Sequence, residues 1–478
     1  MKKLVTLLLA AGLVFSAASG ASAVETRVSG TWDTAFNWGN NIYNAFQNYK
    51  NSGVHQKHFD AVQRMRFTVD FVMSENLSAT YQVQVGQFTW GGAPADSLKL
   101  DDDNNLTGAL SGQGGNKSEN LGGRLGTRAA NIVTRLAYLD WTVPNTSVKV
   151  RMGQQDITLP SFTFGSPVLD DNASGIVVSA PITDNIGLTA LWARASSDWR
   201  RANANGKTSF HTDDTADLFG VIGDLNFDGI TVQPWVTVGI IGKDSSLVDP
   251  DEYDPAYGNA TAWWAGVSGE LTMFDPFRFT ADFIYNNVST KHTPGGDKSE
   301  EVSAWYAALG AEYKTAYGTP ALKGWYASGD SSDHANKDKR GGNLRELSGA
   351  FDATNTYFDG GFPLSMFFDN CSPAGTWGIS AQWNGLSFVD NLNHSFSVTY
   401  VKGTNNTENE SDPRKAYLTT KDAFVELDMT HQYNIYQNLA AILQVGYIIE
   451  DFDTALPGRE GIKYDNAWRA TVAFRYSF

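Results

Sequence analysis

Residues 468–478, W-R-A-T-V-A-F-R-Y-S-F, decide the fold. Trp468, Ala470, Val472, Phe474, Tyr476 and Phe478 fall on one side of an extended chain. Arg469, Thr471, Ala473, Arg475 and Ser477 fall on the other. A period of two is a strand with one oily face and one wet face. A soluble strand this aromatic would look inward and would rarely stop on Phe. In a closed transmembrane barrel, the oily face meets lipid and the polar face meets a water-filled lumen. The stretch therefore predicts a spanning strand.

The pattern repeats along the chain. Met65, Phe67, Val69, Phe71 and Met73 alternate with Arg64, Arg66, Thr68 and Asp70, and a short turn at Ser74-Glu75-Asn76 leads to Leu77, Ala79, Tyr81, Val83 and Val85. Further short turns are expected at Val143 to Thr146, Thr183 to Asn185, Asn226 to Gly229, Phe274 to Pro276, Ala316 to Thr319, Asn384-Gly385 and Asn434 to Asn438. Long polar segments alternate with them, the third in order being Gln155 to Ala173. Such alternation predicts an all-β, transmembrane antiparallel barrel of about 18 strands, with short periplasmic turns and long extracellular loops. The alternative is about 16 strands, if weak segments such as Ile176–Ala180 are discounted.

The start of the chain is consistent with export. Lys2 and Lys3 precede an apolar run from Leu4 to Ala18, and Ala21-Ser22-Ala23 offers small residues for cleavage after Ala23. Residues 1–23 are expected to be a cleaved signal peptide and 24–478 one barrel domain. No later apolar run approaches the ~20 residues of a spanning helix. Aromatic residues make up 13% of the chain while mean hydropathy is −0.30, as expected when lipid-facing and lumen-facing positions average out. A net charge of −16 disfavours nucleic acid as a partner. One cysteine, Cys371, excludes an internal disulfide.

Several runs resemble the bacterial outer-membrane general diffusion porins: Gln63-Arg64-Met65-Arg66-Phe67, Ser74-Glu75-Asn76-Leu77-Ser78 and Thr134-Arg135-Leu136-Ala137-Tyr138-Leu139. The loops and aromatic content are closest in flavour to the porins of sulphate-reducing bacteria. In that family an arginine follows the glycine of the next strand; here Gln154 follows Gly153. The resemblance implies a homotrimer in the outer membrane, in contact with lipid and lipopolysaccharide, passing ions and small hydrophilic solutes without catalysis. It also implies a third loop folded into the pore, whose acids face a basic wall. By match, Arg64 and Arg135 belong to that wall; by parity, Arg66, Lys149 and Arg151 join them. Loop order alone assigns Asp156, Asp170 and Asp171 to the inward loop. The terminal Phe478 matches the family's assembly signal.

Opposed charges across a gap orient water and polar solutes, and lumen side chains tune which ion dominates. The leading expectation is thus a water-filled passive channel. The alternative is a substrate-specific channel for sugars or organic acids, which would need a spiral of lumen-facing aromatics; Trp235, Trp305 and Trp325 are candidates, with either parity open. An enzyme is not expected: His394 and His431 lie near strand ends without a nucleophile pattern beside them. No cofactor is expected beyond structural Ca²⁺ in outer loops, for which Asp101, Asp103, Asp251 and Asp254 offer oxygens without the spacing of a calcium loop. The oily 329–375 segment, with Leu344 to Phe351 amphipathic, is expected to cap the outer mouth. All of this assumes that apolar side chains face hydrocarbon while polar ones surround a continuous column of water.

Overall fold

The computed structural model describes residues 24–40, 57–91, 99–100, 106–107, 132–197, 215–242, 257–292, 299–331, 339–358, 360–364, 372–407, 418–453, 455–456 and 466–478. Residues 1–23, Cys371 and the four calcium candidates Asp101, Asp103, Asp251 and Asp254 lie outside them.

The wall begins with β1 (Glu25–Asn40), β2 (Lys57–Ser74), β3 (Leu77–Thr89), β4 (Ile132–Thr142), β5 (Lys149–Thr158) and β6 (Asp170–Pro181). It continues through β7 (Ile186–Ser197), β8 (Thr215–Phe227), β9 (Ile230–Ile241), β10 (Tyr257–Leu271), β11 (Phe277–His292) and β12 (Ser299–Tyr313). It ends with β13 (Thr319–Ala327), β14 (Thr376–Val389), β15 (Leu392–Gly403), β16 (Ala423–Tyr436), β17 (Leu439–Asp451) and β18 (Ala467–Ser477). Each strand pairs antiparallel with its sequence neighbour, and β1 pairs with β18 from Thr31↔Ser477 to Asn40↔Trp468. The result is a closed antiparallel barrel of 18 strands. Closure leaves no edge strand, so every strand finds its ladder inside the wall. A short segment, Lys339–Gly341, lies parallel to β12 at Glu301–Ser303.

Alternation sorts the wall as the sequence predicts. On β12, Leu309 is 68% exposed on the outside while Tyr306 is 0% exposed on the inside. Trp38, Phe59, Trp263, Trp305, Tyr326 and Trp468 form an outward aromatic rim near the extracellular ends; Phe277, Tyr313, Phe388, Tyr436 and Tyr476 form one near the periplasmic turns. Such girdles sit at the two membrane interfaces. Trp264, by contrast, points inward and is fully buried.

Most turns fall where expected. The Asn384-Gly385 turn does not: the chain runs on through a bulge in β14, with Gly385 at φ 68°, and reverses at Asp390-Asn391. Asn-Gly supplies the left-handed backbone that a bulge needs as readily as a hairpin does.

The larger departure is inside. Residues 159–169, between β5 and β6, fold into the lumen as the third loop. The long connection between β13 and β14 also folds inward, where a cap on the outer mouth was expected. Leu347 and Ser348 amides donate to Val168 (2.9 and 3.2 Å), Ala350 to Ser166 (2.8 Å) and Asp352 to Phe164 (3.1 Å). Behind this seam Phe164, Trp325, Phe351 and Phe358 pack with centroids 4.8–5.6 Å apart. The lumen thus contains an apolar plug, and the water column is narrower than alternation alone implies. The Leu344–Phe351 stretch goes inside because its oily residues bury against Trp264, Trp325 and Tyr306 on the inner wall.

The β1–β18 seam ends on a small residue. Gly30 and Phe478 exchange backbone bonds of 2.8 and 3.1 Å, and a Cβ at Gly30 would stand 2.7 Å from the Phe478 ring. Gly30→Leu is therefore expected to hinder the β1–β18 seam, seen on gels as loss of the compact, heat-modifiable barrel band. Normal assembly of this variant would show that the seam tolerates the clash.

Candidate functional site

The plug is held by side chains of the wall that capture its backbone. Asp282 of β11 accepts the amides of Phe162 and Thr163 at 2.9 Å each. Ser268 of β10 donates to the Pro160 carbonyl (2.9 Å), and Lys323 of β13 to that of Thr163 (3.2 Å). Glu426 of β16 takes the Thr356 and Tyr357 amides (2.7 and 3.1 Å), and Asp428 takes that of Asn355 (3.2 Å). Gln444 of β17 accepts from Phe362 (2.6 Å), Arg469 of β18 donates to the Asn355 carbonyl, and Asn37 of β1 to that of Leu364 (3.0 Å). An ionised acceptor makes the stronger hydrogen bonds, and a buried loop amide otherwise stays unpaired at a cost of about 1–3 kcal/mol. Within the plug, burial holds the Asp352 carboxyl above its ordinary range, against the downward pull of the Lys323 ammonium.

The basic wall is gathered around one carboxylate. Asp33 of β1, 1% exposed, lies 3.4 Å from Arg64 and 2.7 Å from Arg475. Arg66 donates to Gln84 (3.0 Å), and no acid is bonded to it among the described residues. Arg475 also stands 4.9 Å above the Phe362 ring, where the plug meets the wall. Arg64 is buried; Arg66 is half-buried, and the Arg475 side chain keeps about a third of its surface open.

Lys149 and Arg151 stand apart, towards the periplasmic end. Arg151 forms a two-bond pair with Asp140 (2.7 Å each) and lies 4.2 Å over the Tyr138 ring. A cleft of about 430 Å³ opens there, lined by Asp140, Lys149, Arg151, Gln155, Ser179 and Thr189 among others.

The three acids are not on the inward loop. Asp156 belongs to β5, and Asp170 and Asp171 open β6, in unbroken register. Ile157 and Ala173 pack against the plug, so alternation puts Asp171 on that face and Asp156 and Asp170 on the opposite one. Asp171 indeed accepts from Ser348 of the plug (2.7 Å). Asp156 accepts from Asn172, which in turn accepts two bonds from Arg135 (2.6 and 3.2 Å). Arg135 is thereby held on the side of Asp156 through Asn172. The expected face-off of bases and loop acids across a gap gives way to pairs along the same stretch of wall. The segment reads as a loop because Asp and Asn are poor strand formers; cross-strand bonds such as Thr158 to Asp170 (2.7 Å) compensate.

Of the three tryptophan candidates, Trp235 and Trp325 point inward but are covered by the plug, and Trp305 points outward. Sequence reasoning missed Asp33, Arg475 and Gln84, and the plug anchors Asp282, Glu426, Asp428 and Gln444. All are polar residues at inward parity on strands, which is the signal that marks them.

Two solved structures share this architecture. OccAB3 of Acinetobacter baumannii matches with a TM-score of 0.52 at 10% identity, over 95% of this chain and 100% of that one. OccAB1 of the same organism gives 0.51 at 11%, over 97% and 99%. The chain shares with them the fold of a closed antiparallel barrel of 18 strands. The outer membrane protein OprD from Pseudomonas aeruginosa also overlaps, at 13% identity over 97% and 96%, but its TM-score of 0.48 supports no conclusion. No protein-family model and no curated protein matches the sequence. Identities this low establish the fold alone.

Releasing the plug has a direct electrical readout. Glu426→Ala leaves two buried amides without their acceptor, at about 1–3 kcal/mol each. The variant is expected to keep its barrel and to show a larger single-channel conductance in planar bilayers. Unaltered conductance would mean that the remaining anchors suffice.

Proposed function

We propose that the chain is a selective outer-membrane channel for small organic anions, which pass between the plug and the arginine-bearing wall of β18, β1 and β2. The observation that carries this reading is the charge count at that wall: Arg64, Arg66 and Arg475 gather where Asp33 is the one carboxylate bonded to any of them among the described residues. A guanidinium presents a planar fork of donors that matches a carboxylate, so half-exposed arginines recognise organic acids rather than sugars. The apolar plug supports selectivity over free diffusion, because it fills space that a general pore would leave to water. The outward apolar belt and the closed ladder support a membrane location.

The purified barrel in planar bilayers tests this with succinate as the probe and glucose as the neutral control. Chloride current is expected to be blocked by succinate in a saturable manner and to be indifferent to glucose. Arg66→Gln is expected to weaken the block several-fold and to shift the reversal potential in asymmetric KCl towards the cation side. Unsaturable, equal effects of both solutes would return the protein to the class of non-specific pores.

A further inference from the structure

His394 and His431 take no part in the plug or the arginine wall. They face each other directly across the β15–β16 ladder, on the side that alternation gives to Phe396, Val398, Leu427 and Tyr433, all exposed outward. Their Nδ1 atoms stand 2.7 Å apart, with ring centroids at 4.7 Å and planes at 81°. Phe396 lies against both rings, at 6.4 and 5.7 Å. Neither imidazole bonds any other group among the described residues. Both belong to the periplasmic third of their strands, beside the interfacial aromatics Tyr433 and Tyr436, where water reaches the wall.

We propose that this pair is a metal site on the outer face of the barrel, binding one Cu(II) ion through the two Nδ1 atoms and leaving its remaining positions to water. Two imidazoles whose Nδ1 atoms face each other at 2.7 Å offer paired nitrogen ligands once the proton between them is displaced. The spacing is nearer to what right-angled ligand positions ask for than to a tetrahedron. With metal–nitrogen bonds of roughly 2.0–2.1 Å, a 2.7 Å separation subtends about 80–85° at the ion, close to the right angle of a tetragonal site. A tetrahedral ion such as Zn(II) would need the nitrogens about 3.3 Å apart, so the rings would have to separate. The backbone ladder fixes both Cα atoms and resists that opening. Without metal, one Nδ1–H donates to the other Nδ1, which keeps the pair convergent.

The test uses the full-length barrel in detergent micelles, titrated with copper(II) chloride and followed by electron paramagnetic resonance and equilibrium dialysis. One equivalent should give a tetragonal, nitrogen-ligated spectrum. His394→Ala and His431→Ala should each weaken that equivalent at least about tenfold, since losing a ligand costs no less than losing a ligand's partner. The chain has seven histidines, so five remain in the double variant (7 − 2 = 5) to report any other copper site. Zn(II) should compete poorly. The native protein gives a second reading if a variant fails to assemble: with ascorbate reducing the bound copper and dissolved dioxygen as the oxidant, the residues that hold the ion are oxidised, and mass spectrometry should place that oxidation on His394 and His431. Full copper binding by the double variant, or oxidation confined to other histidines, would overturn the site.

Discussion

A backbone amide that leaves the sheet must find an acceptor, and inside this barrel the acceptors are side chains of the wall. Asp282 takes two amides of the third loop; Glu426 and Asp428 take three from the long loop between β13 and β14. These bonds fix where two otherwise irregular segments can lie. Once they lie there, the four-ring cluster of Phe164, Trp325, Phe351 and Phe358 can form, each ring pair worth about 0.5–1.5 kcal/mol beyond its burial. The pore's shape thus follows from loop hydrogen bonding before it follows from the strands.

The plug also changes what the wall charges do. In an empty barrel the arginines of β2 and β18 would face bulk water and be heavily screened. With Phe362 packed beneath Arg475, and Phe362 and Leu364 against the side chains of Ala35, Val62 and Ile442, the same charges border a narrower, less polar space. Coulomb energies rise as the effective dielectric falls. Each guanidinium then acts more strongly on its surroundings than it would in open water.

Much of this was legible in the residues. The strands, the closure and the alternation of short and long connections follow from period two, and Trp468 to Phe478 alone shows the principle. What period two does not reveal is where a loop goes. Leu344 to Phe351 reads as oily, but only the positions of Glu426 and Trp264 on distant strands turn that oiliness inward. The acids Asp156, Asp170 and Asp171 mislead for a related reason: their low strand preference is local, while the register that holds them is set by β5 and β6 together. Arg64 and Arg66 were found from the chain, whereas Arg475 and Asp33 were passed over, since their meeting depends on joining the two ends of the barrel.

That meeting has an implication for biogenesis. Asp33 lies on the first strand and Arg475 on the last, so their ion pair exists only in the finished cylinder. An open, partly inserted sheet holds Asp33 with Arg64 alone and lacks the third guanidinium. The full charge cluster is therefore completed only at the moment of sealing.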